Sequence, residues 1–298
     1  MRASVIIPTY DRPRRLASAL ECLAAQSCAP DEVIVCDDGS ALPLEGVLDR
    51  FSGVLLLKYA RQEDRGFRAG AARNMGIRLA TGDVLIFIDD DVLCPSNFVA
   101  AHMAAHVQRK KPPRGRVAIG YRRRLFRVPP LPITAHDVAA GEADSRSAAL
   151  GWRARWLPFH SHPWYFVYSC NMSIRNLGDD ITFDEDFTGY GLEDLELGYR
   201  LFRRGYEIVF APNATAAHVE DGSPRDPFRC EELGLEPNYD AWVRNCVRLI
   251  QNHAGDARFA ARMKRDLSWF HFDAETRRWR KNGAKNDPDR IIEFVAAN

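Results

Sequence analysis

A chain of 298 residues, 46 % apolar and 27 % charged, suits one large α/β domain with additions or at most two domains, and this composition is ordinary for a soluble globular protein. Its net charge of +1 provides no global field for nucleic acid or an anionic membrane. Its seven scattered cysteines contain no C-x-x-C pair, which argues against a disulfide framework and for a reducing compartment.

Residues 3–7 form a short β-branched run ended by Pro8. Residues 12–26 place Leu16, Ala19, Leu20 and Leu23 at helical spacing. Residues 32–36 are a second apolar run, with Cys36 as a small core residue, stopped by Asp37-Asp38-Gly39-Ser40. Residues 54–59 are a third run, and residues 69–80 read as a helix closed by Gly82. Residues 84–88 contain no polar side chain, so this strand is expected to be buried on both faces. Apolar strands alternating with helices predict an α/β fold built on a parallel sheet covered on both sides. Polar clusters follow three of the strands, at residues 9–12, 37–40 and 89–91. The carboxyl edge of such a sheet is where ligands bind.

The regular pattern breaks after Gly120. Residues 121–165 hold Pro129, Pro130, Pro132 and the start of an aromatic stretch with Trp152, Trp156, Phe159, His160, His162 and Trp164. Such rings serve either as core or as platforms for sugar rings. Between Arg109 and Arg127 lie nine Lys or Arg residues and no acid. That run reads either as a solvated loop or as a patch for an anionic acceptor, a phospholipid surface or donor phosphates. Residues 167–175 alternate like a strand, 193–204 form a helix, 207–210 a short strand, and 238–298 a charged, helix-rich cap or tail. No run approaches the ~20 apolar residues of a membrane span, and the N-terminus enters a strand pattern without a signal-peptide core. A cytoplasmic protein is expected, with peripheral membrane contact left open.

Three adjacent carboxylates, Asp89-Asp90-Asp91, repel one another at a strand end. A hard divalent cation, completed by a sugar diphosphate, is the simplest compensation; a solvated acidic turn is the alternative. A carboxylate of the 37–40 cluster can accept from a base imide or ribose hydroxyl, or merely shape a turn. Gly189 and Gly191 lead into a helix opening with Glu193-Asp194, either acids favoured by the helix dipole or a general base at the mouth of a site. Glu185 and Asp186 nearby compete for that assignment. His218 is a candidate metal ligand; His102, His160 and His162 are weaker ones.

The segments Val5-Ile6-Ile7-Pro8-Thr9-Tyr10, Glu32 to Ser40, Ala72-Arg73-Asn74-Met75-Gly76 and Ile86 to Asp91 resemble the inverting family 2 glycosyltransferases of the GT-A fold. Cys170 to Arg175 and Phe187 to Arg204 resemble the galactosyltransferase-type module of bacterial chondroitin synthases and animal β-1,4-galactosyltransferases. The likeness covers roughly residues 3–221. It implies a GT-A domain over 1–221, with a nucleotide-binding half (1–120), an acceptor-side insertion (121–165) and an acceptor and catalytic half (166–221), followed by a helical extension (222–298). It further implies a mostly parallel Rossmann-like sheet flanked by helices.

By the same resemblance Pro8, Tyr10 and Arg12 line the nucleotide pocket, Asp38 pairs with the base, and Arg68 approaches the base or phosphates. Asp89 and Asp91 are the outer members of a D-x-D motif, with Asp90 between them in the donor site. Asp91 and His218 hold Mn²⁺ or Mg²⁺. Glu193 helps to hold a sugar, and Asp194 is the base of a single in-line displacement. The family's pattern after the histidine differs from Val219-Glu220-Asp221 here. The donor implied is a UDP-hexose or UDP-N-acetylhexosamine, and the acceptor a glycan or other hydroxyl compound in polysaccharide or glycoconjugate synthesis. A nucleotidyltransferase is the main alternative, but residues 8–15 lack its Gly-rich, Lys- or Arg-bearing loop. A non-catalytic sugar-nucleotide binder would be expected to have lost Asp89, Asp91 and Asp194. A retaining mechanism is a third option.

Overall fold

The computed structural model describes residues 1–107, 114–144, 151–178, 181–220, 227–281 and 283–297, with the side chains of residues 151–153 excepted. The strands are β1 (Ala3–Thr9), β2 (Glu32–Asp37), β3 (Leu57–Arg61), β4 (Val84–Ile88), β5 (Val92–Leu93), β6 (Arg116–Leu125), β7 (Glu142–Ala143), β8 (Asn171–Arg175), β9 (Glu207–Val219), β10 (Phe270–Asp273) and β11 (Arg278–Lys281). The α-helices are α1 (Pro13–Ala24), α2 (Glu45–Phe51), α3 (Ala69–Leu79), α4 (Phe98–Ala105), α5 (Ala135–Ala139), α6 (Glu193–Arg203), α7 (Pro227–Glu232), α8 (Asp240–Asn252), α9 (Ala257–Leu267) and α10 (Pro288–Ala297).

Among the described residues one nine-stranded sheet runs β3-β2-β1-β4-β8-β6-β9-β5, with β7 on β6. Every residue of β1, β2 and β4 is buried, as continuous apolar strands covered on both faces should be. These strands and β3 pair in parallel, which is the half that the sequence pattern makes plain. The other half is mixed: β8 runs antiparallel to β4 and β6, β6 is parallel to β9, and β5 is antiparallel to β9. The expected short strand at 207–210 is the start of the 13-residue β9. Its polar Asn213 and Thr215 hide the continuation, and a register shift lies opposite Gly120/Tyr121. The strand β6 crosses position 120, so the region expected as an insertion begins inside the sheet.

Helix α3 is built from small residues and lies close on the sheet. A Cβ on Gly76 would stand 2.5 Å from Cγ2 of Ile6 and 2.7 Å from Sγ of Cys36, so only glycine permits that approach. The C-terminal region is no loose tail. Trp242, Val243, Cys246, Phe259 and Ile291 belong to the same apolar core as Val5, Phe87 and Trp164. Much of the aromatic stretch is core too: Trp164 packs on Tyr199 and Phe259, while Trp156 and Phe159 are exposed. All seven cysteines are free thiols. Among the described residues no helix is long and apolar enough to cross a membrane.

Candidate active site

The carboxyl ends of β1, β2 and β4 open on a cleft lined by Pro8, Tyr10, Arg12, Asp38, Asp89–Asp91 and His218. A deeper cavity adjoins it, lined by Glu193, Asp194, Tyr168, Cys170 and Trp242. Phe67, Arg73, Asp89, Tyr190 and His218 line both, so the two form one continuous hollow.

Backbone pairing brings the triplet and His218 together. Val92 of β5 stands opposite His218 of β9, and the Val219 N–H donates to the Asp91 carbonyl at 2.8 Å. His218 Nε2 is 3.2 Å from Asp91 Oδ1. The two groups form an ion pair, and the oxygen is buried with no further hydrogen-bond partner. The other oxygen, Oδ2, accepts from Arg12 Nη1 at 2.7 Å. Burial opposes ionisation of Asp91, yet His218 and Arg12 outweigh it and hold the carboxyl below its ordinary value. The same contact raises the pKa of His218 against the effect of burial. Asp90 turns to Thr9, whose hydroxyl donates at 2.7 Å. Burial and the charge of Asp91 push its pKa up to about 7. Asp89 turns the other way, to Arg73 Nη2 at 2.7 Å. The triplet therefore splits in three directions, and the chain supplies counter-charges of its own.

Asp37 and Asp38 divide in a similar way. Asp37 Oδ1 accepts from the N–H groups of Gly39 and Ser40 at 3.1 and 2.8 Å and shapes the turn. Asp38 faces the cleft and accepts from Gln62 Nε2 and the Arg68 N–H; burial raises its pKa. The Arg68 guanidinium donates to the Glu63 carbonyl, and its backbone N–H reaches the cleft through Asp38. Tyr10 donates to Asp64 at 3.0 Å.

On the far wall Gly189 (φ +73°), Gly191 (φ +96°) and Leu192 (φ +77°) carry the chain into α6 through left-handed conformations. For Leu192 that strain costs on the order of 1–3 kcal/mol, and such residues gather at functional sites. The turn is held from behind by Asn245 of α8, which donates to the Gly191 carbonyl at 2.8 Å. It delivers Glu193 and Asp194 to the deeper cavity. Glu193 pairs with Arg73 Nη1 at 3.3 Å; burial and the charge of Asp194 nonetheless push its pKa up to about 7. Among the described residues Asp194 makes no ion pair, and its Oδ1 accepts from the Leu195 N–H at 2.8 Å. The competing acids are occupied elsewhere: Glu185 with Asn74 and Asp186 with Arg248.

Sequence reasoning left Arg73 without a role, although it stood inside a quoted motif. Its signal was a charged side chain on the small-residue face of a helix that must lie against the sheet. The arginines of β6 correct the solvated-loop reading in part. Arg122 and Arg124 line the hollow, the first bound to Asp144 and the second to Glu220 and Glu232. Residues 109–111 and 221 and the side chain of Trp152 lie outside the described residues. His102 is structural, buried between Ser173 and Asn171 at 2.9 Å from each. His160 and His162 sit on the aromatic stretch and line neither cavity.

Asp91 and His218 present hard oxygen and nitrogen donors, and the orphaned Asp91 oxygen fits a divalent cation. Among the described residues no three His, Cys, Asp or Glu side chains converge as a complete site. Two protein ligands completed by phosphate oxygens is how Mg²⁺-type ions are usually bound with nucleotides.

Comparison with known proteins places this geometry. Residues 4–113 match the family model described as glycosyl transferase family 2. The chain is 32 % identical over 272 residues to a validoxylamine A glucosyltransferase of Streptomyces hygroscopicus subsp. limoneus, covering 84 % of this chain and 56 % of that protein. It is 32 % identical over 239 residues to a chondroitin synthase of Escherichia coli, covering 73 % of this chain and 34 % of that one. The match thus spans little more than half of the first relative and a third of the second. In fold it is similar to S. aureus TarS 1–349 in complex with UDP-GlcNAc, with a TM-score of 0.57, 17 % identity, 90 % of this chain and 71 % of that one. It is likewise similar to the mannosyltransferase PcManGT of Pyrobaculum calidifontis in complex with GDP-Man and Mn²⁺, with a TM-score of 0.58, 15 % identity, 99 % of this chain and 79 % of that one. The chain carries a glycosyl transferase family 2 domain on the mixed α/β fold of the GT-A glycosyltransferases.

Proposed function

We propose that this protein is an inverting, metal-dependent glycosyltransferase that moves a hexose or N-acetylhexosamine from a UDP-sugar to an acceptor hydroxyl. The observation that carries the reading is the single hollow with Asp91 and His218 on one wall and Asp194 on the other. Support comes from the relatives' printed activities and from the neighbour bound to UDP-GlcNAc.

The base enters the cleft beside Pro8, Tyr10 and Asp38. The diphosphate comes to lie against Arg12, beside the Asp91–His218 pair. These two residues would hold Mn²⁺ or Mg²⁺, which would supply Lewis-acid neutralisation of charge on the departing diphosphate. Asp194 takes the proton of the acceptor hydroxyl as its oxygen bonds to the anomeric carbon. The bond from that carbon to the diphosphate oxygen breaks, and UDP leaves with the electron pair. Attack opposite the leaving group inverts the anomeric centre. A base at hydrogen-bond reach contributes about 10²–10⁴-fold.

The test is a panel of UDP-glucose, UDP-galactose, UDP-GlcNAc and UDP-GalNAc, with and without Mn²⁺. Binding is read by thermal shift and UDP release is followed with mono- and disaccharide acceptors. Mn²⁺-dependent stabilisation by at least one donor, with transfer and an inverted product anomer, is expected. No stabilisation by any donor, or a product of retained configuration, refutes the reading.

A further inference from the structure

Arg73 is a charged side chain inside the protein, 4 % exposed. It projects from the small-residue face of α3, its guanidinium 5.4 Å from the Phe183 ring centroid. One arm of its fork meets Asp89 at 2.7 Å and the other meets Glu193 at 3.3 Å. Its Nε is buried with no hydrogen-bond partner. The two carboxylates come from opposite halves of the site, one at the end of β4 and one at the start of α6. Arg73 lines both cavities.

The adjacent residue fixes the same helix to the same wall. Asn74 Oδ1 accepts from the Phe183 N–H at 2.8 Å, and its Nδ2 donates to the Phe183 carbonyl and to Glu185, each at 2.9 Å. This staple secures the chain from 183 to 185. From 189 to 192 the chain runs through the three left-handed residues described above, a conformation that persists only when its surroundings impose it. A rigid planar guanidinium that bridges two carboxylates fixes direction as well as charge. Its grip on Glu193 sets the first turn of α6, and Asp194 is the next residue.

We propose that Arg73 is a positioning residue, bracing Glu193 against Asp89 so that the carboxylate of Asp194 is held in line with the donor site. This rests on the glycosyltransfer reading above and gives a named part to a residue that the sequence left without one. Lysine preserves the charge but not the fork, so it can hold one carboxylate and must release the other. Arg73→Gln would leave the half-buried Asp89 and Glu193 beside each other without their cation and risks unfolding the protein. Arg73→Lys is therefore the informative change.

The experiment compares the full-length wild type, Arg73→Lys, Glu193→Gln and the double variant. It measures kcat and KM with the donor that the wild type uses, Kd for UDP by calorimetry, and hydrogen exchange of amides 189–195. Arg73→Lys is expected to lower kcat by about 10²-fold, the cost of a displaced catalytic group, while Kd for UDP and donor KM stay within about threefold. In the double variant the losses should fall well short of the product of the two singles, because both break one link. Exchange at 189–195 should rise in both single variants, with the rest of the chain unchanged. Multiplicative losses, a defect confined to donor KM, or unchanged exchange at 189–195 overturns the proposal. A wild type that transfers no sugar refutes the glycosyltransfer reading instead, and exchange then decides the role of Arg73 alone.

Discussion

Glu193 lies in the hollow with its pKa raised to about 7, by burial first and by the charge of Asp194 second, against the pull of Arg73. An acid whose folded pKa lies above its unfolded one favours the folded state only while protonated. Its stabilising share is complete below the unfolded value, ~4.3, and is lost as pH rises through about 7. Most of that share, on the order of 3 kcal/mol, disappears between pH 5 and 8. With an unfolding entropy near 2.1 cal/mol/K per residue and 298 residues, that is about 4–5 °C of melting temperature. Glu193→Gln keeps an oxygen for Arg73 and removes the charge. Its melting temperature should fall by about 4–5 °C less than the wild type's over that pH range, by the same conversion. The assay is thermal unfolding in EDTA at pH 5, 6, 7 and 8, which removes any contribution of a bound cation. Asp90 titrates in both proteins and cancels in the difference. Parallel profiles would show that Glu193 is ionised at pH 5, and the argument from burial would fail.

Asp194→Asn should abolish transfer and leave Kd for UDP nearly unchanged by calorimetry; near-normal turnover would remove Asp194 from the base role. Asp91→Ala should weaken donor binding only when Mn²⁺ is present, so equal affinities with and without Mn²⁺ in the wild type would sink the metal assignment. Gly76→Ala should destabilise by about 1–3 kcal/mol, the usual cost of an overpacked core, since its Cβ would meet Ile6 and Cys36; an unchanged denaturant midpoint would contradict the close approach of α3. Asp256 caps α9 by accepting from the N–H groups of Arg258 and Phe259, and Asp256→Ala should cost about 1 kcal/mol with activity retained.

The parallel half of the sheet was legible because burial on both faces writes uninterrupted apolar runs into β1, β2 and β4. The second half was not. β9 mixes buried, half-buried and exposed positions without a regular period and carries Asn213 and Thr215, and it pairs with β6, which lies some ninety residues earlier. No local window contains that pairing. β9 also pairs with β5, and that pairing sets His218 beside Asp91. The C-terminal region read as a cap because its helices are charged on one side; their apolar faces close the same core. They also reach the site, where Asn245 holds the glycine turn from behind.

The acidic triplet shows the limit of reading charge from sequence. Three adjacent carboxylates call for cations, and a divalent ion is the economical answer when only neighbours in sequence are considered. Folding brings Arg12 from the end of β1, Arg73 from α3 and His218 from β9 to the same three residues. The repulsion is thereby divided. Asp89 is tied through Arg73 to Glu193, Asp90 to Thr9, and Asp91 keeps one buried oxygen without a hydrogen bond. A motif that looks like one metal site is three side chains with separate duties, and only Asp91 faces His218. On the proposed reading the divalent ion answers the charge that arrives with the donor, because the charge of the triplet is already met by Arg12, Arg73 and His218.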